Sequence, residues 1–86
     1  MDALKSLRAQ LEDLDKQILS QVASRYALVA EIKKIKDAHK LPKHQQAEFE
    51  RKLAALQDFM SNSNLSKEDV EQLYKLLHEI AIKWQS

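Results

Sequence analysis

The sequence predicts an all-helical fold, and three observations support that prediction. The chain of 86 residues contains no glycine and one proline. It therefore lacks the residue that the tight turns between neighbouring strands favour most. Strict alternation of polar and apolar residues, which is typical of half-buried strands, is missing. Residues that favour helices, such as alanine, leucine, lysine, glutamate and glutamine, dominate. We therefore expect a single helical domain over residues 1–86.

The first predicted helix starts near Asp2 and meets no helix breaker before Pro42, which leaves about 37 helical residues. At 1.5 Å per residue it would be roughly 55 Å long, whereas a compact chain of this size has a diameter of about 30 Å. The overhanging half must therefore pack on another chain. We predict an intertwined homodimer of three-helix protomers on this ground and on the resemblance described below.

Two shorter helices are predicted to follow. The second covers roughly residues 44–60 and ends in the polar segment 61–64, where an asparagine can take the left-handed conformation that terminates helices. The third helix begins at Ser66, whose spacing to Asp69 resembles a capping box. It is expected to continue to the end of the chain.

The composition excludes several classes of function. The chain has no cysteine for disulfide or thiol chemistry and no glycine for a phosphate-binding loop. The start lacks a signal peptide's apolar core and no segment reaches the roughly 20 apolar residues of a membrane span, so we expect a cytoplasmic protein without a membrane partner. The three histidines are not spaced for a metal site. The net charge is only +1, and the lysine-rich segment lacks interleaved aromatic residues, so nucleic acid is not an expected partner.

Arg25 interrupts an apolar seam on the first helix. Leucines and isoleucines from Leu4 to Ile35 recur at alternate steps of three and four, as on one buried helix face, but Gln21 and Arg25 occupy two of these positions. A guanidinium always carries its charge, and burying it costs several kcal/mol unless an anion meets it. Lys36 points within about 20° of the same direction. Either an internal carboxylate or an anionic ligand is expected to meet this pair.

Two residues far from this pair complete the predicted site. Arg8 lies about 25 Å from Arg25 along the helix and on another side of it, so it can reach only the site of a partner chain in an antiparallel dimer. Gln85 follows Ala81 by one turn near the carboxyl terminus. A lone glutamine there is usually solvated, but its amide offers one donor group and one acceptor to a nearby ligand.

Together these residues resemble the all-helical chorismate mutases, whose scaffold also serves isochorismate-pyruvate lyases. The resemblance covers nearly the whole chain and rests on Leu7-Arg8, Leu14-Asp15, Ser24-Arg25, Leu28-Val29, Lys36, Pro42, Leu65 and the segment from Ile80 to Gln85. It implies an intertwined homodimer with two identical sites, each of which borrows an arginine from the other subunit.

The resemblance implies that the substrate is the dianion chorismate and that the reaction is its Claisen rearrangement to prephenate, a step of aromatic amino acid biosynthesis, without a cofactor. Such a rearrangement needs a restricted chair-like conformer and positive charge at the breaking C–O bond. By resemblance, Arg25 and the partner's Arg8 hold the carboxylates. Lys36 contacts a carboxylate and the ether oxygen, and Gln85 donates to the same oxygen.

Four more positions of the implied site depart from the family pattern. The family usually has an acidic residue at 45, an Arg-Glu pair at 48 and 49, and a small hydroxyl residue at 81. This chain has Gln45, Glu48, Phe49 and Ala81. Because the family's glutamate accepts from the ring hydroxyl, we expect weak mutase activity or a ligand whose polar group lies elsewhere on the ring. Glu48 could replace that glutamate only if its side chain reached across the rotation of about 100° that separates neighbouring residues on a helix.

Three alternatives stay open. Isochorismate-pyruvate lyases lack that glutamate, which makes lyase activity the alternative enzymatic interpretation, although their characteristic loop is shorter than this one. A degenerate mutase-like binding or regulatory module is the second alternative. The third, an unrelated helical interaction module, predicts that internal acids pair with the cations. The candidate acids are Glu12, Asp15, Glu31 and Glu79.

Overall fold

The computed structural model describes residues 2–85 and contains three α-helices in that part of the chain. They are α1 at Asp2–Ala38, α2 at Gln46–Phe59 and α3 at Lys67–Trp84. The described residues form no strand, so the all-helical prediction is confirmed. The length of α1, 37 residues, is also as predicted. The second helix is shorter than predicted, because it begins at Gln46 and ends at Phe59.

The third helix, α3, is the element on which the other two pack. It contacts both α1 and α2, whereas α1 and α2 do not pack on each other. The buried apolar residues are Val29 on α1 and Val70, Tyr74 and Ala81 on α3. The core of a single chain is therefore a thin layer along one side of α3.

A left-handed residue ends α1 and turns the chain back towards α3. Lys40 has φ 56°, and its N–H donates to the carbonyl of Asp37 at 3.3 Å, while the N–H of Leu41 donates to the carbonyl of Lys36 at 2.7 Å. These two bonds are the pattern of a Schellman motif, in which glycine is the usual left-handed residue. The turn places the segment before α2 beside the end of α1.

The predicted left-handed asparagine between α2 and α3 was wrong. Neither Asn62 nor Asn64 has positive φ, and Lys40 is the one residue in the described chain that does. The hydroxyl of Ser63 closes the turn instead. It donates to the carbonyl of Met60 at 2.7 Å and accepts from the N–H of Leu65 at 3.1 Å. A serine side chain can thus satisfy backbone groups that a left-handed cap would otherwise serve.

The predicted capping box at the start of α3 is confirmed. The hydroxyl of Ser66 accepts from the N–H of Asp69 at 3.1 Å, and the carboxylate of Asp69 accepts from the N–H of Ser66 at 3.2 Å. Two backbone donors that the first helical turn leaves unpaired are thereby satisfied. This fixes the start of the helix that supports the site.

The molecule is elongated, with principal extents of 57 × 25 × 15 Å and a radius of gyration of 16.3 Å. A compact chain of 86 residues would have a radius of gyration of about 12 Å. The difference belongs to α1, whose early apolar residues are 54–62% exposed at Leu7, Leu11, Leu14 and Ile18. Among the residues described, no helix combines the length and apolar character that crossing a membrane requires.

Candidate anion-binding site

Arg25 and Lys36 extend from α1 to α3, where both donate to neutral oxygen atoms. Nη1 of Arg25 donates to the carbonyl of Leu77 at 3.2 Å. Nζ of Lys36 donates to Oε1 of Gln85 at 3.3 Å and to the carbonyl of Lys43 at 2.6 Å. Both cations are half-buried. Since the contacts occur in the same order along both helices, the later half of α1 and α3 run in the same direction.

Gln85 lies at the end of α3 and is buried, with 5% of its surface exposed. Its Nε2 donates to the carbonyl of Ala81 at 3.3 Å, which leaves Oε1 to accept from Lys36. The neighbouring groups thus orient the amide. Ala81, itself buried, lies between Leu77 and Gln85 on one helix face. That face is roughly 12 Å long, so the two cations contact its opposite ends.

No acidic side chain within residues 2–85 pairs with Arg25 or Lys36. The ion pairs that form there join Lys16 to Glu12, Lys33 to Asp37, Lys34 to Glu31, Arg51 to Glu48 and Lys75 to Glu71. Two of the acids that an interaction module would use, Glu12 and Glu31, are therefore bonded to exposed neighbouring lysines. The positive charge of the site is thus not balanced by any acid in the part of the chain that the structure describes.

The surroundings of Lys36 disfavour the charged form of its side chain. Burial lowers the pKa of its ammonium group, and repulsion from Lys52 on α2 lowers it further. Lys52 thus adds a third cation near the site, which the sequence analysis missed because its approach depends on how α2 packs. An anionic ligand near Lys36 would offset both the burial and the repulsion.

Residues 45, 48 and 49 form the wall that α2 contributes to the implied site. They differ from the residues that the family pattern implies there. Gln45 is half-buried and precedes the first turn of α2 without a side-chain capping bond. Glu48 is exposed and accepts two hydrogen bonds from Arg51, at 2.6 and 3.1 Å. The bond from Arg51 is the main reason that the pKa of Glu48 lies below its ordinary value. The carboxylate of Glu48 is therefore committed to Arg51.

Phe49 occupies the inner side of that wall. Its ring stacks on Tyr74 with centroids 5.2 Å apart and an interplanar angle of 24°, and it lies 4.8 Å from the ring of His78. Burial raises the pKa of Tyr74, and Arg25 is close enough to oppose that rise. Tyr74 is itself buried, and the stacking of Phe49 on it could not be read from the sequence, because it depends on how α2 packs on α3.

His78 is a second neighbour that the sequence analysis missed. Burial lowers the pKa of its imidazole, with further lowering by His44, Lys36 and Arg25. Because the imidazole of His78 interacts electrostatically with both Lys36 and Arg25, it lies near the two cations. Its position three residues before Ala81, on nearly the same side of α3, was a usable signal.

Arg8 is exposed near the start of α1 and has no ion pair or hydrogen bond within the described residues. The structure brings together Arg25, Lys36, Gln85 and Ala81. It does not bring Arg8 to them within one chain. That Arg8 serves the site of a partner chain stays a prediction.

The fold and the site define an all-helical protein whose half-buried Arg25 and Lys36 have no acidic partner within residues 2–85. The family described as chorismate mutase type II matches residues 7–86, and the chain therefore belongs to the chorismate mutase type II family. The resemblance noted in the sequence is thus confirmed.

The chain is also similar to a short part of a longer protein. A T-protein of Haemophilus influenzae is 39% identical over 57 residues, which cover 66% of this chain and 14% of that protein. The matched segment is thus a small part of the relative's length. No solved structure matches the chain significantly.

Proposed function

We propose that the protein is a chorismate mutase that rearranges chorismate to prephenate in aromatic amino acid biosynthesis. The observation that supports this most strongly is the pair of half-buried cations, Arg25 and Lys36, whose hydrogen-bond partners within residues 2–85 are all neutral oxygens. A small dicarboxylate supplies the charge that this pair lacks. Membership of the family supplies the reaction class.

The proposed mechanism uses orientation and charge without acid–base or covalent steps. Arg25 binds one carboxylate of chorismate, and Lys36 contacts a carboxylate and the ether oxygen. The amide nitrogen of Gln85 carries two hydrogens, of which the bond to Ala81 uses one. The other can donate to the ether oxygen. Negative charge grows on that oxygen as the C–O bond breaks, so donors fixed around it stabilise the transition state more than the substrate.

The proposed site also requires a second subunit. The exposed seam of α1, with its four aliphatic residues from Leu7 to Ile18, is a contiguous apolar surface of the kind that marks an interface. On α3, Leu73 and Leu76 are also more than half exposed. A homodimer that buries these surfaces would carry Arg8, which lies on the same half of α1, into the partner's site to bind the second carboxylate. Sedimentation should then give about twice the chain mass of 10.0 kDa.

The proposal is tested by incubating purified protein separately with chorismate and with isochorismate. Prephenate from chorismate supports it, and replacement of Lys36 by alanine should lower kcat/KM by at least about 100-fold. Lys33→Ala is the matched control, because Lys33 is a half-buried lysine on the same helix that is already paired with Asp37. The control should retain activity within about threefold.

Isochorismate-pyruvate lyase activity is the second candidate, and Phe49 is the observation that favours it. The ring of Phe49 replaces a carboxylate on the wall of the site, and lyases of this scaffold lack that carboxylate. Salicylate and pyruvate from isochorismate, without prephenate from chorismate, would replace the mutase proposal by this one. Binding of chorismate without turnover would instead indicate a mutase-like binding module.

A further inference from the structure

A chain of hydrogen bonds runs from α2 to His78. It determines which ring nitrogens of His44 and His78 carry protons. Nε2 of Gln46 donates to the carboxylate of Glu50 at 2.9 Å, which turns its Oε1 towards Nε2 of His44, 2.7 Å away. An amide oxygen can only accept, so Nε2 of His44 must carry the proton. In a neutral ring the other nitrogen, Nδ1, is then an acceptor.

The second histidine follows from the first. Nδ1 of His44 lies 2.7 Å from Nε2 of His78, so with both rings neutral Nε2 of His78 donates. This leaves Nδ1 of His78 without a proton, as an acceptor. Within residues 2–85 that nitrogen has no hydrogen-bond partner. The network thus selects one tautomer of His78 and leaves one unused acceptor.

The ring that carries this acceptor lies beside the position where the family's carboxylate is missing. The ring of His78 packs 4.8 Å from Phe49, the side chain that stands in place of the family's carboxylate, and it senses Lys36 and Arg25. Glu48 is held by Arg51 on the exposed side of α2. Of the rings that touch Phe49, Tyr74 interacts with Arg25 alone of the two cations, whereas the imidazole of His78 interacts with both and carries an acceptor without a partner in the described chain.

We propose that Nδ1 of His78 accepts the hydrogen bond from the ring hydroxyl of the substrate, and that His44 acts as a positioning residue by holding the required tautomer. The inference rests on the proposed function and extends it to substrate choice. A site built to accept from a hydroxyl discriminates against an analogue that lacks the hydroxyl, because the acceptor then stays unpaired.

The test compares kcat/KM for chorismate with that for an analogue that lacks only the ring hydroxyl. His78→Leu should lower the value for chorismate by about 10-fold or more and change that for the analogue by less than about threefold. His78→Asn, whose Oδ1 can take the place of Nδ1, should restore part of the loss. His39→Leu, at an exposed histidine outside the network, is the control and should behave as wild type.

Equal losses on both substrates would overturn the inference and assign His78 a packing role, and no loss would also overturn it. Wild-type protein that turns over or binds neither compound would overturn the proposed function itself, a result distinct from the other two. Should His78→Leu fail to fold, His44→Phe provides the second variant. It leaves His78 in place but frees its tautomer, so discrimination between the two substrates should fall several-fold.

Discussion

Arg25 illustrates how one residue can be tolerated half-buried with no ionic partner among residues 2–85. Its guanidinium donates to the carbonyl of Leu77, which satisfies one N–H group but leaves the charge unbalanced. A group in this state contributes little to folding and is available to a ligand. The same argument applies to Lys36, whose partners are the neutral oxygens of Lys43 and Gln85.

Replacing Arg25 by alanine is therefore expected to abolish turnover while the protein stays folded. We expect kcat/KM to fall at least about 100-fold, with a midpoint of thermal unfolding within a few degrees of wild type, since only one bond to a backbone carbonyl is lost. Activity assays and circular dichroism measure the two quantities. A variant that is inactive only because it unfolds, or one that stays folded and active, would contradict the assignment of this charge to ligand binding.

His78 gives the protein a pH dependence whose sign can be worked out. Its pKa is lowered in the folded chain by burial first and then by His44, Lys36 and Arg25, against a small opposing effect of Glu79. The unfolded chain therefore binds a proton at higher pH than the folded chain does. Stability should fall as the pH drops from about 6.5.

Urea unfolding at a series of pH values between about 7.5 and 5.5 measures this effect. The midpoint of wild type should move to lower urea concentration at the acidic end, and the shift should be smaller in His78→Asn, which has no titrating ring. A wild-type midpoint that stays constant over this range would show that protonation of His78 is not coupled to folding.

At the scale of elements, the sequence predicted those features that depend on neighbouring residues. The length of α1 follows from the absence of breakers before Pro42, and the start of α3 follows from the spacing of Ser66 and Asp69. The position of the left-handed residue was not predictable in the same way, because any residue can be forced into it when the chain must turn. Lys40 takes it even though no glycine is available.

Lys40 should therefore be a site where glycine stabilises the protein. The left-handed conformation costs an ordinary residue about 1–2 kcal/mol, and glycine avoids this at some entropic cost in the unfolded chain. We expect Lys40→Gly to raise the free energy of unfolding by about 0.5–1 kcal/mol in urea titrations. Asn62→Gly is the control, since residue 62 has no positive φ, and it should not stabilise. Equal effects of the two variants would rule out the conformational explanation.

The site was only partly predictable because it combines two kinds of information. Arg25, Lys36 and Gln85 stand out through helical spacing and family resemblance, and α3 does gather them. Lys52 became visible only once α2 was packed on α3, since no periodicity within one helix sets the distance between two helices. His78 could have been found from its spacing to Ala81 on α3, whereas its contacts with Phe49 and His44 depend on tertiary packing.

At the scale of the whole molecule, the extents of 57 × 25 × 15 Å describe a chain that cannot cover its own longest helix. The early half of α1 leaves apolar residues such as Leu11 and Ile18 exposed, and Arg8 lies among them without an ionic partner in the described part of the chain. In the proposed homodimer a second copy of the chain would meet both needs at once, because it would bury the seam and place Arg8 beside the anionic substrate proposed for its site. The completed site would then contain parts of two subunits.

Mixed dimers test this arrangement. Chains with Arg8→Ala and chains with Arg25→Ala should each be inactive alone, because every site of either homodimer lacks one arginine. When equal amounts are unfolded together and refolded, about half of the dimers should be mixed, and each has one site with both arginines and one with neither. The mixture should therefore regain about one quarter of wild-type activity. Mixed dimers that form but stay inactive would show that the two arginines do not share a site across the subunits.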